Sequence, residues 1–277
     1  MISAAGDVNR PARVLAGSKD SILDGAGMTK DTGVINRVFR LLSMLSDHPR
    51  LTVKQASLEL DLPISTTHRL LRKLADHEYA ATSSSGGFTA GMELFRIAAR
   101  LSSRMPLVGI AEPLLAELTR RFEETSMLAV LERQQLNSFF AASAAPADPM
   151  RYLIELNRTF PLVWGASARS QLAFLTEEEI ERAIAISATP DVHGRPLDPP
   201  EVRAHLAQIR EEGFALTREH RTLNSVGIAV PFFNSAGQVM GCMAFQLPSF
   251  RLSPVAQPGL VAALKDAAKV MSKEIGA

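Results

Sequence analysis

The sequence predicts an α/β chain in two parts. A small helical unit closed by a hairpin comes first. One linking helix then leads to a larger unit in which helices alternate with a mainly antiparallel sheet. Three observations carry this reading. Apolar residues recur at helical spacing up to about residue 104, with two short helices and a tight turn inside residues 51–79. Pro106 interrupts that pattern. Beyond it, amphipathic stretches alternate with apolar runs of strand length bounded by turn residues.

The helices of the first part follow from spacing. Ile35, Val38, Leu42 and Leu45 place a helix over 34–46, which Pro49 stops. Thr52 suits the N-cap of a second helix over 53–60, with Ala56 and Leu60 inward. Asp61, Leu62 and Pro63 make the turn, and Leu62 plugs the core while Pro63 sets the next helix start. The third helix, 65–76, gathers Thr67, Leu70, Leu71 and Leu74 on one side. Ser65, His68, Arg69 and Arg72 fall opposite, with Thr66 and Lys73 on the flanks.

Residues 79–91 read as short extended arms around a Ser/Gly tip, a wing placed directly after that helix. The tip holds no Lys or Arg, so it offers DNA only hydroxyls and backbone N–H groups. A plain structural hairpin has the same pattern. Residues 91–104 form a helix with Leu94, Ile97, Ala98 and Leu101 on one face and Arg96, Arg100 and Arg104 at polar positions. That face suits packing against another apolar surface.

The second part opens with an amphipathic helix over 107–123. Strands are expected at 126–132, 137–143 and 151–156, with a loop at 144–149. A helix over 165–174 follows, and Thr176 with Glu179 opens another through a capping box. Asp198 and two prolines start a helix that Gly213 ends. Strands at 226–233 and 238–247 flank a turn at 234–237, and Ser253 with Pro254 opens the closing helix. The division reads as a disordered tail over 1–30, a helical unit closed by a hairpin over 31–90, a linker over 91–104 and an α/β unit over 105–277.

Composition narrows the class. Of 277 residues, 46% are hydrophobic and 21% charged, enough for a packed core in each part. The net charge of +1 decides nothing about nucleic acid, and residues 31–104 reach only +3, so DNA contact depends on where the charges sit. Cys242 stands alone, which excludes an intramolecular disulfide and suits a reducing cytoplasm. No apolar run is long enough to span a membrane, and no signal-peptide pattern opens the chain.

Catalytic patterns are missing. The six histidines are His48, His68, His77, His193, His205 and His220, and none pair at metal-ligand spacing. No phosphate-binding glycine loop or nucleophile elbow occurs, so neither cofactor nor metal is expected. Cys242 lies in an apolar strand and reads as a packed thiol. The basic, hydroxyl-bearing N-terminal end of helix 65–76 has the character of a helix that enters the major groove, where Arg69 can meet a guanine edge and Ser65 and Thr66 phosphates or bases. A solvated face of an ordinary three-helix unit would look the same.

The segment 37–80 followed by FTAGMELFRIA, and above all LPxSTxHRLL at 62–71, resembles the IclR family of bacterial transcriptional regulators. The likeness runs to the C-terminus over about nine-tenths of the chain. It implies a winged helix-turn-helix domain with Arg37, Ser65, Thr66, His68 and Arg69 at or near DNA. It implies a linker helix that helps pair two chains, and a GAF-like domain binding a small-molecule effector. The family's wing often carries a basic residue, and SSSGG stands in its place here.

The effector positions that match are Trp164, Gly165, Ala166, Val226, Gly227, Ala244 and Gln246. The family commonly has small polar residues at 244 and 246, and Gly where Asn224 stands. These residues describe an aromatic wall, a floor opened by Gly227 and Ala244, and one amide. Free N–H groups at the start of helix 165–174 suit a carboxylate or carbonyl oxygen. The expected effector is a small, largely apolar metabolite with one acidic or carbonyl end. Trp164 would equally fill a core or an interface.

The family implies a homodimer, with a dimer of dimers as a further assembly, and its habit favours repression over activation. An enzyme with a DNA-binding appendage and a protein-interaction scaffold are the competing classes.

Overall fold

The computed structural model describes residues 33–102, 106–187 and 189–276. The expected tail over 1–30 and Arg104 lie outside them.

Three helices form the first unit. α1 spans Val34–Asp47, α2 Val53–Leu60 and α3 Ile64–Asp76. Thr52 caps α2 through a reciprocal box: its hydroxyl accepts from Gln55 N at 3.2 Å and Gln55 Oε1 accepts from Thr52 N at 3.0 Å. Asp61 takes φ 53 and turns the chain, while Ser57 Oγ donates to the Leu62 carbonyl at 2.6 Å and fixes the approach to α3. Leu41, Leu45, Leu51, Ala56 and Leu71 are fully buried where these helices meet. A hairpin of β1 (Ala80–Thr82) and β2 (Phe88–Ala90) closes the unit, and Leu51 bridges to Phe88. α4 spans Met92–Ser102.

The second unit is three-layered. One antiparallel sheet has the order β5-β4-β3-β8-β7-β6. Its strands are β3 (Thr125–Glu132), β4 (Asn137–Ala144), β5 (Thr159–Pro161), β6 (Ala215–Arg218), β7 (Ser225–Phe233) and β8 (Val239–Pro248). α5 (Pro106–Phe122) and α9 (Ala256–Gly276) cover one face, where Val226, Ile228, Phe232, Met243 and Phe245 point. α6 (Ala166–Leu172), α7 (Glu177–Ile186) and α8 (Pro199–Glu212) cover the other, over Met127, Ala129, Ala229, Cys242 and Ala244. Strand alternation thus divides the apolar residues between two cores.

Two expectations need correction. No strand forms over 151–156. β5 pairs with β4 at Asn137, Ser138 and Phe139, and so takes the edge position that segment would need. Residues 151–156 run as a loop, held by Thr125 Oγ1 to the Tyr152 carbonyl at 3.0 Å and by Tyr152 Oη to the Asn224 carbonyl at 3.1 Å. The helix expected over 165–174 is shorter, because Gly165 has φ 91 and stands outside it. β6 was not anticipated. Its four residues follow the Gly213 cap too closely to display a period.

Candidate functional site

On α3, Ser65, His68, Arg69 and Arg72 are exposed and Thr66 is half-buried, while Thr67, Leu71 and Leu74 face the core. Thr67 is fully buried yet satisfied, since its hydroxyl donates to the Pro63 carbonyl at 3.2 Å. Among the described residues, no ion pair is formed by Arg69 or Arg72. His68 stands edge-on to Phe88, ring centroids 6.1 Å apart, so it lies on the side of α3 that meets the hairpin. Arg37 is half-buried on α1.

One basic residue escaped the sequence reading. Arg50, in the connection between α1 and α2, donates from Nη1 to the Ser85 carbonyl at 3.1 Å. The wing tip, uncharged in its own sequence, therefore carries a guanidinium supplied from 35 residues away. Only the fold could reveal that, because hairpin and connector meet through the Leu51–Phe88 bridge.

The effector positions divide. Gly227, Ala244 and Gln246 share the face under α6, with Gly227 opposite Gln246 in register. Ala166 packs on that face: a methyl at Gly227 would stand 3.2 Å from its Cβ. Val226 does not belong to this set. It is one residue out of phase and fully buried against α5 and α9. Trp164 is 6% exposed, donates from Nε1 to the Thr189 carbonyl at 2.9 Å, and meets His220 edge-on at 5.5 Å. It packs in the core rather than standing as an open wall. The Gly165 N–H points to His220 Nδ1 at 3.4 Å, so it is engaged by protein. Asn224 takes φ 55, a left-handed conformation that Asn adopts more readily than most residues and that Gly adopts freely.

Behind Trp164 lies a buried ionic knot. Arg169, 0% exposed, donates from Nε to the Val163 carbonyl at 2.9 Å and from Nη1 to Glu201 Oε1 at 2.7 Å, with His205 Nδ1 also 2.9 Å from Nη1. It ties the chain entering α6 to α8 and holds the Glu201 carboxyl below its usual range, chiefly through the hydrogen bond it donates. Burial and the neighbouring Arg169 push His220 down to about 4, so its imidazole is neutral near pH 7. Burial raises the Cys242 thiol to about 11, which suits a packed thiol.

Two further residues reach this face from β6 and the β6–β7 connection. Thr217 lies opposite Gly227, with its hydroxyl 3.6 Å from where a Gly227 methyl would stand. Arg221 runs past Gly165 and sets its guanidinium 3.9 Å over the Phe160 ring. A hollow of about 260 Å³, lined by His205, Gln208, Glu212, Phe214, Leu216 and Gln257, shares His205 with the ionic knot and no residue with the effector positions.

The family model described as the bacterial transcriptional regulator IclR C-terminal domain matches residues 99–273. The IclR helix-turn-helix domain matches residues 34–84. The chain belongs to the IclR family.

Among curated IclR-type relatives, the regulator KipR of Bacillus subtilis is 25% identical over 85% of this chain and 94% of its own. The transcriptional repressor AllR of Escherichia coli is 26% identical over 81% and 83%. Among solved structures, an IclR regulator from Alicyclobacillus acidocaldarius shares the fold with a TM-score of 0.77 at 22% identity, covering 87% of this chain and 98% of that one. An IclR homologue from Microbacterium hydrocarbonoxydans, solved with 4-hydroxybenzoate, gives 0.73 at 24%, covering 88% and 99%. The protein is a DNA-binding transcriptional regulator with an effector-binding C-terminal domain. Among the described residues, no helix is long and apolar enough to cross a membrane.

Proposed function

We propose that this chain is a cytoplasmic, dimeric repressor whose release from its operator is governed by a small metabolite. The observation that carries the DNA contact is the exposed face of α3, where Arg69 and Arg72 form no ion pair among the described residues. Ser65, Thr66, His68, Arg69 and Arg72 read the major groove, Arg37 approaches the backbone, and Arg50 brings a cation to the wing. Two copies on one dimer meet half-sites about one helical turn, or a multiple, apart. A dimer of dimers is the natural larger assembly. The repressive sign follows the name of AllR, a relative 26% identical.

The effector lies against the sheet face under α6, in a domain we take to be GAF-like, bounded by Gly165, Ala166, Gly227, Ala244 and Gln246. Trp164 supports that segment from behind. The 4-hydroxybenzoate bound by the Microbacterium homologue makes a small acid with an apolar body the first class to try.

Titrating the protein against its own upstream DNA tests the reader. Arg69→Ala is expected to lose about 1–3 kcal/mol at one operator position and little at others. An equal loss on every sequence would reduce Arg69 to a phosphate contact.

A further inference from the structure

Arg221 is the unexplained charge of the effector face. It sits in the β6–β7 connection, which other contacts hold in place. The Asn224 N–H donates to Glu219 Oε1 at 2.8 Å, and Tyr152 Oη donates to the Asn224 carbonyl at 3.1 Å. From there its stem passes Gly165 so closely that a methyl on that glycine would stand 3.1 Å from the Arg221 Cδ. Its guanidinium lies 3.9 Å over Phe160 and 5.8 Å from the centre of Phe140. Phe140 pairs with Ala129, on the same face as Ala244 and Cys242. The side chain thus reaches from the β6–β7 loop along the segment that enters α6, toward strands β4 and β5.

No acid balances it. Among the described residues, Arg221 is in no ion pair, and the one charge that acts on it is Arg158, of the same sign. Solvent reaches the side chain, and protein still surrounds its head closely enough to pull it down to about 10. That combination describes a cation in a recess. Two phenyl rings give it weak electrostatic partners only.

Resting on the effector-controlled reading above, we propose that Arg221 is the anion anchor of the effector site, and that the effector is a small monocarboxylate with an apolar body. A planar guanidinium takes a carboxylate through two parallel hydrogen bonds, and does so more strongly where water is scarce. The apolar body would lie beside the Phe140 and Phe160 rings that the guanidinium already meets. Gly165 leaves room for the Arg221 stem, which lies 3.1 Å from where a methyl on that glycine would stand. The contact with Phe160 is then the resting position of the free protein. A bound carboxylate draws the guanidinium, and with it the loop that carries Asn224, into one arrangement. The differential affinity for that arrangement is what an effector needs to shift a regulator.

The test is calorimetric titration of the full chain with benzoate, pyruvate and hexanoate, each beside its neutral amide. The wild-type protein is expected to prefer at least one carboxylate over its amide by tenfold or more. Arg221→Gln should abolish that preference, and Arg221→Lys should keep part of it, since it keeps the charge and loses the planar fork. The absence of any carboxylate preference in the wild type overturns the proposal. So does a preference that persists in a folded Arg221→Gln variant. Operator binding followed in parallel separates the two readings. Release by ligands without carboxylate preference removes the anchor and leaves the regulator standing. Operator affinity that no small molecule changes removes effector control itself.

Discussion

At the wing tip, Arg50 donates to the Ser85 carbonyl and leaves the rest of its guanidinium free to meet a phosphate. Arg50→Ala should weaken binding to all DNA sequences by a similar factor. The slope of log affinity against log salt should fall by about 1, the value expected for one lost phosphate contact. Anisotropy titrations at several salt concentrations measure it, and an unchanged slope would place Arg50 in hairpin support alone. The residue scale is also where the sequence was least informative. Arg50 and Arg221 act on elements far from them in the chain, and nothing in their neighbours' residue types marks them. Ser65, His68, Arg69 and Arg72 were legible because a single helix turns them outward together.

α4 is an element with apolar residues left uncovered. Met92, Phe95 and Leu101 are 73%, 60% and 62% exposed. Leu94 and Ile97 turn inward and are half-buried, with Leu94 packed against the first unit's core. The spacing of Leu94, Ile97, Ala98 and Leu101 revealed one face and passed over the second, which Met92 and Phe95 supply. Large apolar side chains exposed together on one short helix suit a second copy of the chain. Phe95→Glu is expected to shift the protein to monomer in sedimentation and to weaken operator binding steeply, because two linked readers bind far more tightly than one. A variant that stays dimeric at micromolar concentration would move the interface elsewhere.

Over the whole molecule, the knot of Arg169, Glu201, His205 and His220 joins α6 to α8 behind Trp164. Both histidines are held below their ordinary range, His220 at about 4 through burial first and Arg169 second. The unfolded chain takes up protons below its ordinary value of 6.5, and the folded one refuses them until near 4. Stability that is complete above pH 6.5 is therefore lost progressively as pH falls toward 4, by an amount on the order of 2 kcal/mol from His220. The lowered Glu201 carboxyl adds in the same direction at the acid end. Melts between pH 4 and 7 measure this, and His220→Asn should flatten the upper part of the curve. A wild-type curve already flat there would mean that His220 titrates normally.

The sequence by itself determined most of the elements and the outward basic, hydroxyl-bearing face of α3. Helical period, an N-cap at Thr52, a capping box at Thr176 and the Gly213 stop are local features, and local physics writes them into adjacent residues. Tertiary structure decided what local pattern cannot carry. It set β5 rather than 151–156 at the sheet edge, and by strand phase it turned Val226 away from Gly227. It enclosed Trp164 in the core and brought Arg221 beside Gly165. The physical reason is shared: edge pairing, strand phase and the reach of a long side chain all depend on which distant segments pack together, and residue spacing records only what lies within a turn or a strand.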